Sequence, residues 1–462
     1  MSRAGPDESP PYIGIDPKTA AERLTDPVDV RQFAYGAQLC ARGRDDLVKR
    51  GYAPDGHKHL RRFSIWEITR YMLPMAPAHF RRVLKNHPEL PQGQPEGGNA
   101  ARWFTLEEVL TLRDFFAAEG SRSKPYKPYR PEGCRAKVIA LSNFKGGVGK
   151  TSTAAHLSMA AALDGYRVLV IDLDSQGSLT SMLGGQVADE WQTAFALIAK
   201  DFATECMAAS EPDGPAPVLD DTLRAALDLD VASVVQPTHW PNIDLIGAQL
   251  NLYWAEFQIP VWRLSQRKWQ LWDALNRFLE RERLLERYDI VVLDTPPALG
   301  YLTINALSAA DILLVPVGAN FLEFDSTGRF FDMLYTTFAS IEDGENAANR
   351  ALGLAEIRFE WDVVRALITR FDPTQQADFA RVMEAYFGEF LARHRQEYTV
   401  MVGQAAEGVN SIYEADHREF NRETYLRGRE TFDRTYAEVK ELVLGCWWRE
   451  ALEREQEMAH GA

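Results

Sequence analysis

A short apolar run ending in Lys145-Gly146-Gly147-Val148-Gly149-Lys150-Thr151 constrains this chain more than any other stretch. Residues 138–141 read as a buried strand, and residues 154–163, rich in alanine, follow as a helix without a break. Strand, glycine turn and helix in that order make a phosphate cradle. Glycines let successive N–H groups turn toward anionic oxygens, and the helix adds its positive end. The general Gly-x-x-x-x-Gly-Lys-[Ser/Thr] pattern needs glycine at position 144, where this chain has Phe144. The loop is therefore a variant with a second lysine, Lys145, at its start; Asn143, just before it, is given no role. Lys150 is expected to neutralise the β- and γ-phosphates and Thr151 to ligate Mg2+, with Gly146, Gly147, Val148, Gly149 and Ser152 completing the nucleotide-binding loop. A glycine turn that binds nothing has the same local pattern, but the strand and helix on either side argue against it.

Two further stretches have the same logic. The continuous apolar run 168–171 suits a parallel strand covered on both faces, and Asp172 and Asp174 emerge at its carboxyl end, where open α/β sheets bind ligands. In Tyr288-Asp-Ile-Val-Val-Leu-Asp-Thr-Pro-Pro297 four apolar residues end in Asp294, placed to hold a metal's water shell opposite Thr151. Residues 242–247, 311–317 and 363–370 supply further strands. The expected fold is α/β: a mostly parallel twisted sheet with helices on both faces, of the P-loop type. Residues 186–242 are the least readable, beyond a loop at 211–217 with helical flanks.

The loop resembles the deviant Walker A motif of the ParA/MinD group, which includes plasmid and chromosome partition ATPases. The resemblance implies ATP and Mg2+ as cofactors and an ATP-bound homodimer in which Lys145 reaches the partner subunit's nucleotide. It makes Lys145, Lys150 and Asp174 the catalytic set, with Asp174 orienting the attacking water, and Thr151, Asp172 and Asp294 the metal set. Ser175 stands where the family's Asp-x-Asp-Pro-Gln has proline. The loop 371–373 stands where relatives often contact adenine. Asn410-Ser-Ile-Tyr-Glu-Ala-Asp416 and Phe420-Asn-Arg-Glu-Thr-Tyr425 resemble the C-terminal part of RepA-type plasmid partition proteins, so the likeness covers about 137–440. It implies a plasmid-segregation ATPase that binds DNA, is stimulated by a ParB-type centromere-binding protein and represses its own operon. Two rivals share the motifs: a nucleotide-gated repressor, and a MinD-like membrane-positioning ATPase, which the acidic tail 447–457 disfavours. Arg422, Arg427, Arg429 and Arg434 are candidates for sequence-independent DNA binding. Glu419, Glu423, Glu430 and Asp433 lie among them, so ion pairing within the helix is expected instead.

The net charge of −15 argues against a chain coated for nucleic acid. Yet residues 41–130 hold 17 Lys/Arg and 10 Asp/Glu, a net of +7, leaving −22 for the rest. Any DNA contact is therefore local. Within that basic region Ser64 and Glu67 have capping-box spacing, and Ile65, Ile68 and Met72 share one helical face. Residues 73–77 break the helix, a basic helix with Arg81, Arg82 and Lys85 follows, then a polar glycine-rich loop over 88–98 and a further helix from Arg102. That order resembles a winged helix-turn-helix whose second helix sets Arg81, Arg82 and Lys85 against DNA. The expected layout is a lead-in over 1–60 with a helix at 28–48, which by the resemblance serves dimerisation or else merely caps the next domain, this small helical module over 61–120, a linker over 121–136, the ATPase domain over 137–445 and a tail over 446–462. No run of about 18 apolar residues spans a membrane. Four scattered cysteines show no metal or disulfide spacing, and the N-terminus lacks a secretory core, so cytoplasm is expected, with nucleoid association implied by the resemblance.

Overall fold

This computed structural model of the chain describes residues 31–49, 58–95, 101–119, 126, 128–187, 189–209, 219–407, 409–418 and 420–461. The lead-in 1–30, linker positions 121–125 and 127, the loop 211–217 and Glu419 lie outside them. The chain divides into two units, Met1–Asp55 and Gly56–Ala462. In the first, α1 (Arg31–Lys49) covers most of the expected helix and leaves Phe33 and Leu39 exposed.

The second unit opens with a small antiparallel sheet of β1 (Phe63–Ser64), β2 (Gln94–Pro95) and β3 (Arg102–Phe104), in the order β1-β3-β2. Ser64 caps the short helix Ile65–Glu67, and the Glu67 carboxylate accepts from Ser64 N in return, completing the expected capping box. A π-helical turn, Ile68–Met72, leads to α2 (Pro77–Asn86), where Pro77 occupies a first-turn position that needs no N–H. Arg102-Trp103-Phe104, expected as the start of a helix, is instead the return strand of a hairpin, because Trp103 and Phe104 bury against β1. Helix α3 (Leu106–Glu119) begins only after it, under a second capping box between Thr105 and Glu108.

Seven strands form the main sheet: β4 (Lys137–Leu141), β5 (Val168–Asp172), β6 (Gln236–Pro237), β7 (Ile243–Ile246), β8 (Ile290–Asp294), β9 (Ile312–Gly318) and β10 (Val363–Thr369). Their order is β10-β9-β4-β8-β5-β7-β6, and every pair is parallel except β6 with β7 at the edge. All residues of β4, β5, β8 and β9 are buried, so both faces are covered. The layers above and below include α4 (Lys150–Asp164), α5 (Ala194–Ala208), α6 (Ala255–Ser265), α7 (Tyr301–Ala309), α8 (Phe321–Leu352) and α9 (Arg422–Gly461). Alternate strand residues divide between two cores. Val138, Ala140, Leu169 and Ile171 join Phe202, Trp262 and Phe278. Ile139, Leu141, Val168 and Val170 join Phe63, Phe80 and Phe104 from the N-terminal module and Trp447 from α9.

Residues 61–119 thus share a core with the sheet. Arg113 fastens the two, its buried guanidinium donating to Met72 O and Leu163 O, both at 2.8 Å, the latter at the C-terminal end of α4. Glu67, wholly buried, is a second tie, accepting from the Tyr425 hydroxyl of α9 at 3.4 Å. Burial acts to raise its pKa, but the Arg61 guanidinium at 2.7 Å and the Ser64 bonds outweigh this and hold it below the usual range. Residues 128–136, expected as linker, lie on the body: Arg130 pairs with Asp289, and Trp447 Nε1 donates to Arg135 O. Residues 446–462, expected as a tail, prolong α9 to Gly461 and bury Cys446 and Trp447 completely. Truncating a Trp so placed costs roughly 3–5 kcal/mol. Among the described residues no helix is long and apolar enough to cross a membrane.

Candidate nucleotide site and basic face

Strand register assembles the site. Leu141 of β4 and Asp172 of β5 both pair with Asp294 of β8, so the glycine loop and both motif carboxylates leave the sheet at one edge. The loop turns through Gly147 at φ +75° and Gly149 at φ +87°, a left-handed conformation that side chains resist, and Gly149 caps α4. Thr151 and Ser152 lie in the first turn of that helix, whose positive end faces the loop. Lys150 is buried; its Nζ donates to Asn143 O at 2.9 Å and Lys145 O at 3.3 Å, threading the loop's own carbonyls. Burial lowers its pKa, while Asp294 and Asp174 act in the opposite direction.

Asp294 is the anomaly. It is fully buried, and neither carboxylate oxygen has a hydrogen-bond partner of normal geometry, the Thr151 hydroxyl being the nearest approach to one. Burial, then the neighbouring Asp172, push its pKa well up, against the opposing influence of Thr151 and Lys150. A buried carboxylate without a partner is costly unless a cation completes it. Among the described residues no three His, Cys, Asp or Glu side chains cluster to cage a metal. One carboxylate, one hydroxyl and a phosphate cradle are instead the donor set that suits Mg2+, which keeps most of its water and shares phosphate oxygens. The residues fit the group.

Asp172 is placed differently from expectation. Its Oδ2 accepts from Thr180 N and Thr180 Oγ1, and its Oδ1 from Asp174 N. Burial pushes its pKa up to about 6, with these bonds opposing. Both oxygens being engaged, Asp172 holds the turn that carries Asp174. Asp174 is half-buried, its Oδ1 accepting from Gln176 N at 3.0 Å.

Four site residues escaped the sequence reading. Asn143 is buried: it donates through Nδ2 to Pro316 O and accepts through Oδ1 from Lys145 N, tying the loop to β9. Glu323 stands 3.6 Å from Lys145 Nζ and accepts from Gly318 N, so Lys145 rests against its own chain. Thr369 Oγ1 donates to Val148 O, and Arg370, at φ +52°, donates to Gly147 O at 2.7 Å. Glu323, Thr369 and Arg370 reach the loop from distant parts of the chain, and only the expectation for the 371–373 loop pointed near them.

His156 locks the same helix to the C-terminal segment. One ring nitrogen, Nδ1, bonds Ser152 O, the other accepts from Ile412 N at 3.2 Å, and the ring stacks on Phe432 at 3.7 Å. Protonation would set N–H against N–H, and burial lowers the pKa to about 4. The unfolded chain therefore takes up the proton first, and stability falls as pH drops from 6.5 toward 4. The loss should reach about 3 kcal/mol in urea unfolding, and His156→Gln should flatten that slope.

Away from the edge, Arg81, Arg82 and Lys85 are all exposed on α2. A depression of about 660 Å3 between α2 and the hairpin is lined by Arg81, Lys85, Arg102, Ser64 and Trp66. Arg422 of α9 lies over the Trp66 ring and Arg418 over Trp103. The other candidate arginines of α9 are occupied: Arg429 is buried against Tyr71 and Asp433, and Arg434 pairs with Glu430, as expected within the helix. Arg427 pairs instead with Glu397, outside it.

Comparison with known proteins gives this geometry a context. Residues 136–347 match the family described as AAA domain. The chain is 32% identical over 413 residues to a putative replication protein A of Sinorhizobium fredii, covering 88% of this chain and 92% of that one. It is 29% identical over 245 residues to Protein SopA of Escherichia coli, covering 52% of this chain and 54% of SopA. A solved structure described as Partition Protein superposes with a TM-score of 0.55 at 18% identity, over 89% of this chain and 99% of that one, which supports the shared fold alone.

Proposed function

The chain belongs to the ParA-type family of P-loop partition proteins, and on that premise we propose that it hydrolyses ATP to drive DNA segregation. The observation that carries the reading is Asp294, a buried carboxylate with no protein partner, aligned by strand register with the glycine loop. In this reading the amides of residues 146–151 and the positive end of α4 bind the phosphates, and Lys150 leaves its loop carbonyls to neutralise them. Thr151 and Asp294 hold Mg2+, which when bound supplies charge stabilisation at the transferring phosphoryl group. Asp174, aimed by Asp172, orients the water. Arg370 and the loop 371–373 close over the nucleotide side of Gly147.

Lys145 exchanges Glu323 for the nucleotide of a second subunit, so the chain dimerises on ATP. Light scattering should show a nucleotide-dependent dimer for the wild type, while Lys145→Ala binds ATP but remains monomeric. A wild-type chain that is monomeric with and without ATP removes this reading.

The dimer binds DNA through α2 and the hairpin, represses its own operon there, and is stimulated by a ParB-type partner. The exposed Arg81, Arg82 and Lys85 and the basic balance of 41–130 support the DNA contact. Each cation that contacts a phosphate should contribute about 0.9 to the slope of log affinity against log salt. Lys85→Ala should therefore flatten that slope by about 1, as read by fluorescence anisotropy on duplex DNA. An unchanged slope for Lys85→Ala and Arg82→Ala together moves the interface elsewhere.

A further inference from the structure

The segment that was least readable in sequence builds a pocket. A cavity of about 420 Å3 lies between the start of α5, residues 220–222 and α6, walled by Trp191, Phe195, Trp254 and Trp262 with Asp220 at its rim. That volume falls within the range of ligand sites, roughly 300–1,000 Å3. The floor is rigid: Trp262 is stacked on Phe195 at 5.5 Å and on Phe202 at 5.3 Å, and only 5% of its surface is exposed. Trp254, by contrast, is 61% exposed and free to meet a ligand. No basic side chain lines the pocket among the described residues. Residues 186–242 carry ten acidic and two basic residues, a net of −8 out of the chain's −15.

We propose that this pocket takes an arginine or lysine side chain from a basic segment of a partner protein. Aromatic faces and a carboxylate together recognise a cation, and the net negative charge of this stretch of sequence favours a basic segment. The pocket also has a physical connection to the hydrolysis site. Glu256, on the same helix as Trp262, accepts from Tyr301 N at 2.7 Å and Leu302 N at 3.1 Å, capping α7 just after the Asp294 strand and its proline turn. A side chain seated beside α6 therefore acts on the element that follows Asp294. This extends the partition reading, since it places the partner's contact.

The probe is an N-acetylated pentapeptide amide with one central arginine, and its control replaces arginine by the neutral isostere citrulline. Binding is followed by ligand-observed NMR on the full chain. Asp220→Asn removes the charge but keeps a good cap for the helix Asp221–Leu227, whose Leu223 N it now bonds at 2.8 Å. Trp254→Ala removes an exposed aromatic face. Citrulline and each substitution should weaken binding by about five- to tenfold. No arginine-dependent binding, or equal binding by both variants, overturns the proposal. ATP turnover of the wild type is read in the same preparation. Turnover without peptide binding sinks the pocket and spares the ATPase; binding without turnover does the reverse.

Discussion

Replacing Lys150 by alanine is expected to lower ATP turnover by about 10²–10³-fold, the usual cost of removing one preorganised charge from a phosphoryl-transfer site. The geometry explains why no neighbour can substitute. Lys150 Nζ already sits inside the loop, 2.9 Å from Asn143 O, so its ammonium has only to exchange loop carbonyls for phosphate oxygens. Lys145 is held 3.6 Å from Glu323 of its own chain and is engaged there. Burial also keeps Lys150 poorly hydrated, so its charge acts through a lower local dielectric than an exposed lysine's would. Turnover within threefold of wild type, measured by phosphate release, would remove Lys150 from the mechanism.

The second large effect has two opposite signs. Asp294→Asn should stabilise the ligand-free chain by roughly 1–3 kcal/mol, because a buried carboxylate with no partner is exchanged for a neutral group of the same shape. The same change should abolish the further stabilisation that Mg2+ with ATP gives the wild type. A pH dependence follows. A carboxyl whose folded pKa is raised keeps its proton in the native state after the unfolded chain has lost it, so its contribution to stability declines as pH rises above the ordinary carboxylate range. The advantage of the variant should therefore widen from pH 5 to pH 8 in denaturant titrations with chelator present. A variant less stable than wild type at pH 8 would show that Asp294 already has a partner in the ligand-free protein.

Much of this site was legible because its signals are local. The loop, the helix that follows, and the strands ending in Asp172 and Asp294 each lie within about a dozen residues, where glycine spacing and apolar runs speak directly. The box of Ser64 and Glu67 was readable for the same reason. What failed depends on distance. Asn143 contributes through Pro316, more than 170 residues away, and Glu323 and Thr369 reach the loop only after the sheet has formed. Arg102-Trp103-Phe104 has ambiguous local preference, and pairing with β1 decided it as strand. Nor does a sequence show that Thr180, eight residues on, hydrogen-bonds the carboxylate of Asp172.

The apolar surface common to Phe63, Phe80, Phe104 and the phosphate-loop helix has a consequence for how such proteins can be recombined. Cutting at 121–136 and exchanging the N-terminal part for another reader would leave a raw oily wound on both pieces, with Arg113 torn from Leu163 O. Heads of this kind are not plug-in adaptors. On the proposed DNA-binding role of α2, a change of operator preference must come by substitution on its outer side, or by transplanting the mating side of α4 along with the new head.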